Sequence, residues 1–294
     1  MSARHFLRQV LRPTVAKNQN ANGSRRQRIS RFEQLEHRAL LAAGIGNFLP
    51  LGEPGPGGRI DSISIQPGDS SRILVGGDVL GATLSTDGGA SWNNDHTGWE
   101  SILIGDFTWD PSQATNPQKV WAGTASGPHF SSDAGETWEL RRNGIAQAEV
   151  NSGKGEYAWT APIEKVLYDP NNNNRVLAFE GDHRRFPPDG SGTIPNAFDG
   201  KIWTTTNEGL NWSEWAHPAP GGNIVDAEYG GGNGNTMYIA VYGQGLFRSY
   251  SDGAAGTWTP INNGITIGDA GNINVMGIAT HPYRDDVLWA VTED

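Results

Sequence analysis

Short apolar runs alternate with turn clusters along most of this chain. Ile60, Ile63 and Ile65 lead into a Pro67-Gly68-Asp69 turn, Ile73-Leu74-Val75 form a compact run, and Leu84 opens a tight hairpin closed by Trp92. Runs this short, bounded by Gly, Pro and Asp, predict β-strands rather than helices. The unit contains three strands and two turns, with a fourth strand expected after Trp92. It recurs at 107–138, where Phe107-Thr108-Trp109 precedes Asp110-Pro111 and Val120-Trp121 precedes a hairpin ending at Trp138. A third copy spans 163–212 with an insertion, and a looser fourth spans 224–258. A fifth opens at Ile273, carries His281-Pro282 and Val287-Leu288-Trp289, and reaches Asp294 before its hairpin.

The closing Trp residues fall at 92, 138, 212 and 258. Spacings of 46 match one four-stranded propeller blade of about 40–50 residues, and the spacing of 74 holds an extra loop. The predicted fold is therefore all-β: a β-propeller of four-stranded blades, about four and a half of them, leaving the ring incomplete. Such a fragment exposes strand edges and a blade face, so the isolated chain is expected to associate or aggregate.

Each hairpin carries Ser/Thr-x-Asp-x-Gly-x-x-Trp, the Asp-box. It is intact at Ser85/Asp87/Gly89/Trp92 and Ser131/Asp133/Gly135/Trp138. Thr205/Asn207/Gly209/Trp212 replaces Asp by Asn, and the fourth copy, ending Ser251-Asp252 to Trp258, has a one-residue insertion. The carboxylate or amide oxygen can accept backbone N–H bonds across the turn, Gly supplies a positive φ, and Trp caps the layer between sheets. A residue repeated once per blade is a hairpin staple, so Asp87 and Asp133 are read as structural rather than as a catalytic pair. The Asp169-Pro170-Asn171 run occupies the same turn as Pro67-Gly68-Asp69 and reads as a solvated turn, not a metal loop.

Composition sharpens this picture. Forty Gly and eleven Trp in 294 residues, with only 18% charged residues, suit hairpins and aromatic layers rather than helices. With no Cys, disulfides, Cys–zinc sites and thiol chemistry are excluded. No run of about 20 apolar residues suggests membrane insertion. Neither zinc-ligand spacing, a phosphate loop nor a nucleophile elbow is visible, so no metal or cofactor is expected. Residues 1–43 hold nine Lys/Arg against two Asp/Glu, net +7, while 44–294 hold thirteen against thirty, net −17. The acidic body disfavours nucleic acid and suits a neutral or cationic ligand.

The basic stretch 1–43 reads as an export or sorting segment, and the Gly/Pro-rich stretch 44–58 as a linker into the propeller at 59–294. Leu35, Glu36, Arg38, Leu40, Leu41 and Ala42 resemble the N-terminal sorting motif of planctomycete secreted proteins. That resemblance implies a secreted or cell-envelope location.

Gly57-Gly58-Arg59-Ile60, then Ile73-Leu74-Val75-Gly76-Gly77-Asp78, resemble the opening of glycoside hydrolase family 74, the xyloglucanases. Leu80 departs from that pattern, as does the lack of an aromatic before the first box. The resemblance implies a glycan-active propeller that hydrolyses xyloglucan or related β-glucans with inversion. Asp78 takes the place of a catalytic carboxylate, the candidate general base. The acid partner in that family comes from a second propeller, for which this chain has no room. The residues alone leave a second role for Asp78, as a structural Asp capping a turn. Trp99, Trp159, Asp182 and His183 are candidate substrate contacts, because Trp rings can stack on sugars and the insertion at 181–199 falls where the family carries a loop over its cleft. Packing between blades is the competing role for the two Trp residues. The alternative to a hydrolase is a non-catalytic, sortilin-like or envelope-associated binding propeller with a protein partner. Sialidases also carry Asp-boxes, but Thr193-Ile194-Pro195 lacks the Arg, and Arg59-Ile60 the Pro, of their Arg-Ile-Pro motif.

Overall fold

The computed structural model describes residues 59–78, 81–94, 97–101, 103–112, 118–145, 161–181, 200–216, 222–232, 234–265 and 273–292. All of them belong to one compact unit, Leu49–Asp294. The sorting motif, the linker, Trp159, Asp182 and His183 lie outside the described residues.

Five antiparallel sheets follow one another along the chain. The first contains β1 (Ile60–Ile65), β2 (Ile73–Gly77) and β3 (Ala82–Ser85). Its expected fourth strand is reduced to a single bridge between Leu84 and Asn93. The second holds β4 (Ile104–Trp109), β5 (Val120–Thr124), β6 (His129–Ser131) and β7 (Glu139–Leu140). The third holds β8 (Ile163–Asp169), β9 (Asn172–Glu180), β10 (Ile202–Thr205) and β11 (Ser213–Ala216), and the fourth β12 (Ile224–Tyr229), β13 (Met237–Val241), β14 (Gly245–Ser249) and β15 (Thr259–Pro260). The fifth pairs β16 (Val275–His281) with β17 (Arg284–Thr292). The chain is an all-β propeller, each sheet a blade in simple meander order.

First strands pack side by side in sequence, β1 on β4, β4 on β8, β8 on β12 and β12 on β16. Between successive blades lies a separate apolar core. Leu74 and Leu84 of blade one meet Phe107, Trp109 and Trp138 of blade two. Trp121 and Phe130 meet Val166, Tyr168 and Trp212. Leu177 and Phe179 meet Ala227 and Ile239, and Tyr238 and Leu246 meet Val275 and Ile278. The closing Trp of a box thus packs on the blade before it, with Trp138 and Trp212 both buried. Truncating such a ring costs about 3–5 kcal/mol.

The Asp-boxes are built alike. The Asp87 carboxylate accepts the Ser91 amide at 2.8 Å and hydroxyl at 2.6 Å, and Ser85 donates to it at 2.9 Å while accepting the Gly89 amide at 2.8 Å. Asp133 repeats these bonds with Thr137 and Ser131, and Asn207 accepts the Asn211 amide at 3.1 Å. The Ser91 hydroxyl and amide, with the Ser85 hydroxyl, hold Asp87 down to about 2. Burial pushes Asp133 up, but the Thr137 hydroxyl and amide outweigh it and leave it below its ordinary value. In the fourth blade, pairing of Met237 with Ser249 makes Ser249 the box hydroxyl, and the Gly253 amide donates to it at 3.2 Å. Ser251 therefore stands where the other boxes carry Asp or Asn, and Asp252 occupies the next, left-handed position with φ 55°. Freed from the turn, Asp252 serves the interface described below.

Candidate functional site

Asp78 follows β2 directly, at the end of the sheet where β1 begins. Its Oδ1 accepts the Arg59 amide at 2.7 Å, and its own amide donates to the Arg59 carbonyl at 3.1 Å. These bonds close the open end of the β1–β2 ladder and fix the carboxylate. The side chain is partly buried, and Arg59 turns away to pair with Asp61 at 2.5 Å. Asp78 thus sits at the strand-end face where β9 of the third blade also ends.

Trp99 lies in the connection between blades one and two. Its ring centroid is 4.5 Å from that of Trp138 and 4.9 Å from His129, and it packs on the core between those blades. With Leu84, Asn93 and Glu136 it lines a shallow depression that does not include Asp78. His129 below it is fully buried. Burial holds its pKa down to about 4, so the ring is neutral, accepting the Glu100 amide at 3.2 Å and meeting the Gly127 carbonyl at 3.2 Å.

A second constellation was not singled out from the sequence. Each first strand carries a bulge one residue in, at Asp61, Gly105, Glu164, Val225 and Met276. The residue after the bulge occupies the same place in every blade: Ser62, Asp106, Lys165, Asp226 and Gly277. Side by side, four of them form a polar belt across the inner strands. Ser62 donates to Asp106 at 3.0 Å, and Lys165 Nζ lies 3.2 Å from Asp106, 3.2 Å from Asp226 and 3.1 Å from Glu228. Asp226 then accepts the Ile278 amide at 2.8 Å, carrying the belt to blade five. Burial pushes the Lys165 ammonium down, but the three carboxylates outweigh it and leave its pKa well above the ordinary value. Glu228 goes up, because burial outweighs its attraction to Lys165. The signal was present in the sequence: Ser62, Asp106, Lys165 and Gly277 each stand five residues before a Pro, at 67, 111, 170 and 282.

A third pattern links blades at their other ends. The residue before the second-strand partner of the box hydroxyl residue is basic in blades one to three and reaches the next blade's box. Arg72 donates to the Ala134 carbonyl and Glu136 at 3.0 Å, Lys119 pairs with Glu208 at 2.5 Å, and Arg175 pairs with Asp252. Arg175 also pairs with Asp169 at 3.0 Å and stacks its guanidinium 4.1 Å over Trp215, while Tyr229 donates to Asp252 at 2.8 Å.

Among the described residues no three His, Asp or Glu side chains are placed to hold a metal ion, and no helix is long and apolar enough to cross a membrane.

No family model and no curated protein matches this chain. Solved structures do. An ancestral glycoside hydrolase family 74 enzyme superimposes with TM-score 0.59 at 20% identity, over 82% of this chain and 28% of that one. The family 74 xyloglucanase from Xanthomonas campestris gives TM-score 0.52 at 16% identity, over 78% of this chain and 35% of that one. The extracellular domain of a one-component system from B. thetaiotaomicron gives 0.53 at 11%, over 82% and 27%. At these identities the likeness establishes the propeller fold. The chain spans about a third or less of each of these structures.

Proposed function

We propose that this chain is a secreted, glycan-active propeller in which Asp78 is the general base of an inverting glycoside hydrolysis. The single observation that carries the reading is Asp78 itself: it follows β2 on a strand-end face, in a Gly-Gly-Asp context resembling family 74, with Oδ1 tied to the Arg59 amide. The family 74 fold likeness is compatible with it.

The chemistry needs two carboxyl groups about 6.5–9.5 Å apart. Asp78 would take a proton from water as its oxygen attacks the anomeric carbon, while an acid protonates the leaving glycosidic oxygen as the C–O bond breaks. A family 74 arrangement draws that acid from a second propeller, so this chain would contribute the base and part of the binding face. Trp159, Asp182 and His183 remain candidates for sugar contact, together with any exposed edge of Trp99.

The Arg59–Asp78 hydrogen bond also favours a second reading, a binding propeller in which Asp78 only closes the β1–β2 end. Asp78→Asn separates the two, because its amide oxygen can still accept the Arg59 N–H. The assay is dinitrophenolate release from a dinitrophenyl xylogluco-oligosaccharide, whose leaving group departs without an acid so that the base alone is read, with binding to xyloglucan followed by affinity electrophoresis. Hydrolysis by the wild type that falls at least 100-fold in Asp78→Asn supports the base role. Equal rates remove Asp78 from catalysis, and binding without hydrolysis favours the second reading.

A further inference from the structure

The four blade interfaces repeat one pairing of surfaces. The residue after the belt position of each first strand packs on a large side chain at a fixed place on the second strand of the preceding blade. Phe107 shares a core with Leu74, Val166 with Trp121, Ala227 with Leu177 and Ile278 with Tyr238. Two residues further along, Trp109 and Tyr168 extend the same contact.

Strand register places Ile63 and Ile65 in the first-strand positions of blade one, and Trp289 in the second-strand position of blade five. These members of the pattern stand bare: Ile63 is 63% exposed, Ile65 54% and Trp289 56%, where Phe107, Trp109 and Trp121 are buried. Ser62 and Ser64, on the opposite face of β1, are engaged by Asp106 and Trp109, so β1 keeps a used side and an unused one. Val291 extends the bare face of β17 at 67% exposure.

We propose that these two faces bind each other between copies of this chain, the β17 face of one copy receiving the β1 face of the next. The occupant is a second copy because the surfaces are the two complementary halves of an interface the chain already builds four times. The contact would continue that interface rather than create a new one. It is heterologous, since each copy offers both halves and uses different patches for each.

The test uses the full 294-residue chain in sedimentation velocity from 1 to 200 µM. The wild type should show concentration-dependent species of at least twice the 31.6 kDa monomer mass. Ile63→Glu/Ile65→Glu, which spoils one half, and Trp289→Glu, which spoils the other, should each be monomeric with melting curves near the wild type. Mixed in equal amounts they should form a dimer and nothing larger, because one intact pair of faces remains. The chain has no Cys, so Ile65→Cys and Trp289→Cys give a second readout: a mixed disulfide should exceed either homodimer on mild oxidation. A wild type that stays monomeric throughout overturns the proposal, as would be expected if other chain covers these faces. A mixture that remains monomeric, or one Glu variant that still self-associates, also overturns it.

Discussion

Lys165→Met tests whether the axial belt holds the blades together. The ammonium lies within 3.2 Å of Asp106, Asp226 and Glu228, contributed by the blades on either side of its own. Removing it leaves three carboxylates facing one another. Loss of one partner from a buried ion pair costs about 3–5 kcal/mol. The side chains of Asp106 and Glu228 keep 27% and 32% exposure, so water screens part of the repulsion and the lower end, about 3 kcal/mol, is expected. In a domain of this size that lowers Tm by roughly 6–12 °C.

The pH dependence gives the sharper readout. Burial already raises Glu228 in the folded protein, and removing Lys165 raises it further. A carboxyl whose pKa is higher folded than unfolded favours folding on protonation. The deficit of Lys165→Met should therefore shrink as pH falls from 8 towards 5. In this range His129 takes up its proton in the unfolded chain of both proteins, so its contribution cancels in the difference. Urea unfolding followed by circular dichroism at pH 8, 6.5 and 5 measures the gap. Lys165→Met/Glu228→Gln should recover part of it at pH 8. A gap under 1 kcal/mol at pH 8, or one that does not narrow on acidification, would refute the reasoning.

Other expectations follow from the same geometry. Because burial holds His129 near 4 against an ordinary 6.5, its contribution is present above pH 6.5 and is lost as pH falls to about 4, roughly 3 kcal/mol over the window; wild-type urea midpoints should decline there, and less so in a His129→Gln variant that still folds. Gly88→Ala should cost only about 1 kcal/mol, because φ is 71° but nothing lies within 4 Å and Ala134 and Glu208 hold the same position in the next two boxes. Gly209→Ala should cost more than 2 kcal/mol, since its Cβ would fall 2.6 Å from Trp121 at φ 76°; equal midpoints for the two variants would contradict both statements. Asp252→Ala should cost about 3 kcal/mol by leaving Arg175 paired to Asp169 alone and Tyr229 without that acceptor. An unchanged urea midpoint would remove this staple from the account.

The propeller was legible because its signals are local and repeated. A Ser-x-Asp-x-Gly-x-x-Trp hairpin specifies its own turn, and a spacing of 46 residues sets the blade. The fourth box was less transparent: Ser251-Asp252 resembles the motif in sequence, yet strand pairing with Met237 puts Ser249 in the hydroxyl position. Spacing alone cannot show which residue faces the turn. The first blade's fourth strand, expected from the repeat, is reduced to the Leu84–Asn93 bridge. The axial belt went unread because its members differ chemically. Ser, Asp, Lys, Asp and Gly look unrelated until the bulges align them, although four of the five stand five residues before Pro.

That contrast bears on where function can reside in such a fold. Box residues are nearly invariant within the chain because each performs the same local task, so they carry little information about chemistry. The inner-strand column has the same bulged backbone in each blade, yet its residues differ from blade to blade. Lys165 belongs to one blade, the long insertion follows one β-strand, and Asp78 stands where the second blade has Ala125 and the third Gly181. Repetition supplies the stability, through four separate apolar cores and their basic staples. It thereby frees single positions to depart from the pattern without loss of the fold. Asp78 is such a departure on the strand-end face, and its tie to the Arg59 amide means that its role is separable from stability by changing one carboxylate oxygen to an amide nitrogen.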